Sequence, residues 1–91
     1  MPFTDPTLER CIVDLLAQRS PSSSICPSDV ARALADDEGV WRGLMPQVRE
    51  VAKRMAANGI IRVTQGDSEV TIDDQLRGPI RLRRGENYPP D

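Results

Sequence analysis

The amino-acid sequence predicts an α+β domain in which three helices precede a small antiparallel β-hairpin or three-stranded sheet. Apolar residues recur with a period of about 3.6 as far as residue 57, which is typical of helices. After Asn58-Gly59 the period falls to about 2, which is typical of strands. The length of 91 residues fits one domain. We assign residues 1–84 to this single domain and residues 85–91 to a flexible C-terminal tail.

The first helix is predicted to begin at Asp5, which can cap it, with Pro6 at the first helical position. It should end before Pro21, and the serine-rich residues 20–24 are typical of a polar surface loop. Its apolar residues fall on one helical stripe: they are Leu8, Cys11, Ile12, Leu15 and Leu16.

The second helix is predicted to begin at Pro27, with the Asp29 carboxylate favouring its positive N-terminal end. Small apolar residues between Val30 and Leu34 form its buried face, and the helix should end near residues 36–39.

The third helix is predicted to begin only near residues 44–46, because a proline at position 46 would break a helix interior. About nine residues would then separate helices two and three, whereas a tight helix-turn-helix uses three or four. The predicted buried stripe consists of Val48, Val51, Ala52 and Met55. Gly59 is expected to adopt a left-handed conformation after the last turn.

Two alternating segments then predict a hairpin, one with Ile61 and Val63 inward and one with Val70 and Ile72 inward. Residues 65–68 have the composition of the turn between them. Residues 78–83 predict a third strand, with Ile80 facing the core together with the leucine two positions later. Three helices followed directly by a hairpin is the order of a winged helix-turn-helix domain.

Four segments, at residues 26–34, 41–49, 59–61 and 77–82, also resemble a known family. Its most specific features here are Trp41-Arg42 and the run Arg77-Gly78-Pro79-Ile80-Arg81. The chain resembles the small bacterial winged-helix family catalogued as domain of unknown function 3253, over roughly residues 8–83. The resemblance implies a fold, and it implies no activity, substrate, cofactor or catalytic residue.

The composition argues against most enzymatic chemistry. The chain has no histidine, and its two cysteines, Cys11 and Cys26, cannot complete a structural zinc site. No glycine-rich phosphate loop of a recognised spacing occurs. We therefore expect no catalytic residue, no metal site and no cofactor. The N-terminus has neither the basic start nor the apolar block of a secretory signal, so we expect a cytoplasmic protein without membrane association.

The charge is unevenly distributed along a chain whose net charge is −2. Residues 1–40 carry three basic and seven acidic side chains, and residues 41–84 carry nine basic and five acidic ones. If helical geometry reaches back to Arg42, then Arg42, Arg49 and Lys53 share one face of helix three, with Arg54 beside them. With Arg62 on the hairpin, these residues are the candidate DNA contacts. An ordinary solvated face explains the same pattern.

Three further features have alternative interpretations. The arginines at 77, 81, 83 and 84 could hold DNA backbone, but the hairpin tip is acidic, and Arg81 is better explained by a half-buried pairing with an aspartate. Trp41 could stack on a base, although a lone tryptophan more often closes a small core. Cys26 lies at a helix N-terminus, where a thiol can become reactive, whereas Cys11 should be inert.

Two functions from different classes remain open at this point. The first is duplex DNA binding through helix three, based mainly on the fold. The second is a non-catalytic protein-interaction module that keeps the fold without recognising DNA. The sequence pI near 5.1 argues against a basic nucleic-acid domain. A homodimer would place two basic faces on one duplex, but nothing in the sequence establishes one.

Overall fold

The computed structural model describes residues 3–89. Its first helix, α1, spans Asp5–Ala17. The capping residue is Thr4, whose Oγ1 accepts a hydrogen bond from the Thr7 backbone N–H at 3.3 Å, so the predicted cap at Asp5 is off by one residue. The predicted stripe faces the core, with its centre line of Leu8, Ile12 and Leu16 fully buried.

The serine-rich segment after α1, which is predicted to be a loop, ends in a short strand. Strand β1, Ser24–Ile25, pairs antiparallel with the last strand of the chain, and Ile25 is fully buried. Two residues are too few to show an alternating pattern, which is why the strand was missed. The sheet therefore has four strands rather than the predicted three.

The second helix, α2, spans Pro27–Leu34 and starts where the sequence predicts. The backbone N–H of Cys26, its N-cap, donates to Asp29 Oδ2 at 2.8 Å, which anchors the first turn. The helix ends before residues 36–39, and only three residues, Ala35 to Asp37, join it to the third helix.

The third helix, α3, spans Glu38–Ala57, so the predicted start near residues 44–46 is wrong. Asp37 supplies a cap, because its Oδ1 accepts from the Val40 backbone N–H at 3.1 Å. Pro46 lies on the exposed side of the helix, where water can solvate the carbonyl group that the missing N–H leaves free. Burial of Leu44 on the opposite side favours continuing the helix through the proline.

The end of α3 agrees with the prediction. Gly59 has a φ of 75°, the left-handed conformation that glycine adopts without strain. The N–H groups of Gly59 and Ile60 donate to the carbonyl groups of Ala56 and Met55, which is the Schellman arrangement. This turn directs the chain straight into the sheet.

The sheet is antiparallel with the strand order β1-β4-β2-β3. Strand β2 spans Ile61–Gln65, β3 spans Ser68–Glu69 and β4 spans Arg81–Arg84. The hairpin turn falls within the predicted residues 65–68, but β3 is only two residues long. Val70 and Ile72 therefore lie beyond the strand, although the Val70 N–H still donates to the Val63 carbonyl at 2.8 Å.

One hydrophobic core joins the helices to the inner face of the sheet. The predicted stripe of α3 is buried throughout, as are Ile61, Val63, Ile80 and Leu82. The α+β architecture is confirmed, and its layout is compatible with a winged helix. None of the helices within residues 3–89 is both long and apolar enough to cross a membrane.

Part of the predicted C-terminal tail packs on this domain. The Tyr88 hydroxyl donates to the Val13 carbonyl at 2.7 Å, and the Asn87 side chain donates to the Asn58 carbonyl at 3.0 Å. Residues 90 and 91 of that tail lie outside the described range.

Candidate nucleic-acid interface

Helix α3 presents three of the candidate cations on one side. Because the helix begins at Glu38, Arg42 lies within it, and intervals of seven and four residues bring Arg49 and Lys53 to nearly the same angle. Arg42 and Lys53 are exposed and Arg49 is half-buried. We call this the α3 face: Arg42, Arg49 and Lys53. The helix therefore reaches back to Arg42, as a face shared by these three residues requires.

The N-terminal cation of the α3 face is partly neutralised. Arg42 Nε donates to Glu38 Oε2 at 2.9 Å, one turn earlier in the helix. The guanidinium carbons of Arg32 and Arg42 also lie 4.7 and 4.8 Å from the centroid of the Trp41 ring. Trp41 is half-buried and packs against the core. This position supports the interpretation that Trp41 closes the core. Arg32 of α2 and Arg42 of α3 both lie over its ring, so the ring connects the two helices.

The other two cations of the α3 face border a concave surface that also contains acids. Arg49 and Lys53 line it together with Glu50, Asp73 and Asp74. Within the described range, neither cation comes within 4.0 Å of a carboxylate oxygen. Both are therefore available to an incoming anion, although the neighbouring acids lower the local positive potential.

Arg54 lies on a different side of the helix. It follows Lys53 and is rotated by about 100°, and its Nη2 bonds Asp5 Oδ2 at 3.1 Å. Gln47 Nε2 donates to the other carboxylate oxygen of Asp5 at 3.0 Å. The hydrogen bonds from Gln47 and from Arg54 hold the pKa of Asp5 below its usual range. These bonds connect α1 to α3. Arg54 therefore differs from the other candidate cations of α3, because its guanidinium is bonded to a carboxylate of α1.

Arg62 lies on the outer side of the sheet, between the buried Ile61 and Val63. The register places it directly opposite Arg83, and its Nε donates to the Arg84 carbonyl at 3.2 Å. It also lines a concave surface shared with Lys53, so the hairpin adjoins the C-terminal half of the α3 face.

Arg81 is half-buried, as expected, but its partners differ from the expected aspartate. Its Nε donates to the Ser24 hydroxyl at 2.9 Å and its Nη2 to the Ser24 carbonyl at 3.0 Å, while Nη1 contacts the Cys26 thiol. The guanidinium is thus fixed by Ser24 of β1 and by Cys26, the N-cap of α2. Sequence reasoning could not find Ser24, because nothing in the loop pattern announces a strand there.

Two more arginines of β4 are also held without carboxylates. Arg83 Nη1 donates to the Ser22 carbonyl at 2.8 Å, and its Nε reaches Thr64 Oγ1 at 3.4 Å. Arg84 turns the other way, donating to the Leu16 and Arg19 carbonyl groups at the end of α1. Arg83 therefore belongs to the outer surface of the sheet, whereas Arg84 connects β4 to the C-terminal end of α1.

The two cysteines occupy different environments. Burial, followed by the nearby Asp14 carboxylate, raises the pKa of the Cys11 thiol, which agrees with the expectation that this cysteine is inert. Cys26 is free, and its thiol accepts from Arg81. Across residues 3–89, no three potential metal-ligating side chains cluster closely enough to hold an ion.

Comparison of the sequence with protein-family models identifies the family to which the chain belongs. The family model described as protein of unknown function, DUF3253, matches residues 5–85. The chain belongs to this family. The match covers α1 through the end of β4 and therefore extends the residues on which the resemblance was based. Comparison with curated proteins finds no match.

Proposed function

We propose that this DUF3253 domain binds duplex DNA, with α3 as the helix that enters the major groove. The observation that carries the proposal is the three-residue connection between α2 and α3. It is the spacing of a helix-turn-helix motif, and it replaces the longer connection that the sequence had suggested. In such motifs the second helix contacts the bases.

The α3 face supplies suitable chemistry for that contact. An arginine can bond guanine through two parallel hydrogen bonds, and lysine or arginine can neutralise a phosphate. Arg49 and Lys53 are the strongest candidates, because within residues 3–89 neither is held by a carboxylate. Arg42 would contribute once its guanidinium leaves the Glu38 carboxylate and bonds DNA instead. Arg62 of the hairpin lines a surface shared with Lys53 and so adjoins the α3 face. Arg54 would have to leave Asp5.

The test is fluorescence anisotropy of a labelled random-sequence duplex, titrated with the protein at about 50 and 200 mM salt. We expect micromolar binding that weakens steeply with salt, and we expect Arg49→Ala and Lys53→Ala each to weaken it further. Arg10→Ala is the matched control, because it removes an exposed arginine from α1, where Asp14 pairs with it. Absence of binding at hundreds of micromolar protein in 50 mM salt would overturn the proposal.

A protein-interaction module is the second candidate, and the intramolecular pairing of Arg42 and Arg54 favours it. The acids beside Arg49 and Lys53 also suit a mixed-charge protein partner better than a polyanion. The same titration separates the two functions, since this candidate predicts no duplex binding even at low salt.

Either function is non-catalytic, requires no cofactor and suits a cytoplasmic protein. A homodimer would bring two α3 faces to one duplex. Sedimentation velocity with and without duplex would measure whether one or two copies bind.

A further inference from the structure

Three arginines form a row on the outer side of the sheet. Arg62 and Arg83 are directly opposite each other on β2 and β4, and Arg81 lies two residues before Arg83 on the same strand. Because strand side chains alternate, all three project from the side opposite to the buried Val63 and Leu82. We call this row the sheet face: Arg62, Arg81 and Arg83.

Among the described residues, no carboxylate oxygen lies within 4.0 Å of a guanidinium nitrogen of the sheet face, although Glu69 of β3 lies on the same side of the sheet. The ion pairs that the described residues form are Arg10–Asp14, Arg42–Glu38 and Arg54–Asp5, all of them on helices. Like charges directly opposite each other in a sheet are destabilising. The Arg62–Arg83 pair is therefore an arrangement that opposes stability and that a bound anion would relieve.

The guanidinium groups are nevertheless held in place. Arg81 and Arg83 bond hydroxyl and carbonyl groups of Ser22, Ser24 and Thr64, none of which carries a charge. Each guanidinium has five N–H donors, so donors remain on both after these bonds are made. Fixing a side chain before binding reduces the conformational entropy lost on binding.

We propose that the sheet face contacts the phosphate backbone of the same duplex that the α3 face reads. This inference rests on the proposed function and extends it to a second surface. Residues two apart on a strand are separated by roughly 6.6–6.8 Å, and neighbouring strands by about 4.8 Å. Three cations spread over these distances suit a row of phosphates better than one small anion.

The surroundings favour a duplex over a single strand. Single-stranded sites stack bases on aromatic side chains, but the strands carry none: Phe3, Trp41 and Tyr88 all lie outside them. Lys53 of the α3 face and Arg62 of the sheet face line one concave surface, together with Glu69, so the two faces adjoin at Arg62. One polyanion can therefore contact both.

The salt dependence of binding tests this proposal. Each phosphate contact contributes a slope of about −0.9 to the plot of log K against log salt for duplex DNA. Relative to the unaltered protein, Arg62→Gln/Arg83→Gln should make the slope shallower by about 2. Arg83→Lys keeps the charge and should preserve the slope, and Arg10→Gln removes the same charge from α1 and should leave it unchanged. Arg81 is left intact because it joins β4 to β1.

A gain-of-affinity variant guards against misfolding as an explanation. Glu69 faces Thr64 in the register, so its carboxylate lies on the same side of the sheet as the arginines. Glu69→Gln should tighten duplex binding about two- to fivefold, an increase that a misfolded variant would not show.

The outcomes separate this inference from the proposed function. An unchanged slope in the double variant, with binding still sensitive to Arg49→Ala, overturns the sheet contact and leaves the α3 contact standing. A shallower slope with no effect of Arg49→Ala or Lys53→Ala supports the sheet face and overturns the reading role of α3. No duplex binding by the unaltered protein overturns both.

Discussion

The α3 face and the sheet face carry equal numbers of cations but differ in what surrounds them. On the α3 face, Arg42 pairs with Glu38, and acids line the concave surface beside Arg49 and Lys53. On the sheet face, the arginines are held by hydroxyl and carbonyl groups. Glu69 lies on that side of the sheet, but no arginine of the sheet face forms an ion pair within the described residues, so this face retains more of its positive potential for a partner. A count of cations along a helix does not measure how much charge that helix offers.

The largest expected effect comes from the contact between the end of β4 and the turn that follows α3, which fixes the sheet against the helix. The Gly85 N–H donates to the Ile60 carbonyl at 2.9 Å, and a Cβ at Gly85 would lie 2.2 Å from the Gly59 carbonyl oxygen. Because backbone atoms must move to admit it, Gly85→Ala should lower the free energy of unfolding by about 2 kcal/mol or more. Thermal unfolding should show a melting temperature lower by on the order of 10 °C.

Gly43→Ala is the matched control for that substitution. Gly43 lies in α3, and apart from its chain neighbours and the adjoining backbone of the helix itself, no atom comes within 4 Å of where its Cβ would be. The substitution should stabilise the domain by roughly 0.5–1 kcal/mol, because alanine favours a helix interior over glycine. An unchanged melting temperature for Gly85→Ala would show that the sheet is not fixed against the end of α3 at this contact.

A smaller effect is expected from releasing one cation of the α3 face. Glu38→Gln removes the carboxylate that holds Arg42, so duplex affinity should rise roughly two- to fivefold while stability falls by about 0.5 kcal/mol. Asp5→Asn is the control, because it releases Arg54 on another side of the helix and should change affinity less. Equal gains from both variants would mean that overall charge, rather than the α3 face, governs binding.

The smallest effect concerns acid stability. The pKa of Asp5 is lowered in the folded protein, so its ionised form stabilises the fold above the unfolded value of about 3.9, and this contribution is lost as the pH falls through the folded value. Urea unfolding should show the unaltered protein more stable than Asp5→Asn at pH 6, with the difference shrinking by pH 3. A difference independent of pH would assign the effect to packing instead.

Most of the fold could be predicted from periodicity. The apolar stripes of α1 and α3 face the core, and so do the alternating apolar residues of β2. The start of α3 could not be predicted, because the general cost of a helical proline hid the local cap at Asp37 and the exposed position of Pro46. Strand β1 was missed for another reason. Its two residues form a strand only through pairing with β4, where Ser24 faces Arg83 and Ile25 faces Leu82, far along the chain.

The candidate site shows the same division. Spacing predicted that Arg49 and Lys53 share one side of a helix, and that Arg42 joins them only if the helix reaches back to it. The helix does reach back to Arg42, because it begins at Glu38. Spacing could not separate Arg54 from them, since the Asp5 partner comes from α1. It also could not show that Arg62 faces Arg83, because the register between β2 and β4 depends on tertiary packing.

The most direct test is an NMR titration of ¹⁵N-labelled protein with a short duplex at about 50 mM salt, which follows every backbone amide signal at once. We expect the largest chemical-shift changes in residues 42–53 of α3 and in residues 62–64 and 81–83 of the sheet, with α1 little affected. Changes confined to α1, or no changes with excess duplex, would contradict a DNA-binding surface formed by the α3 face and the sheet face together.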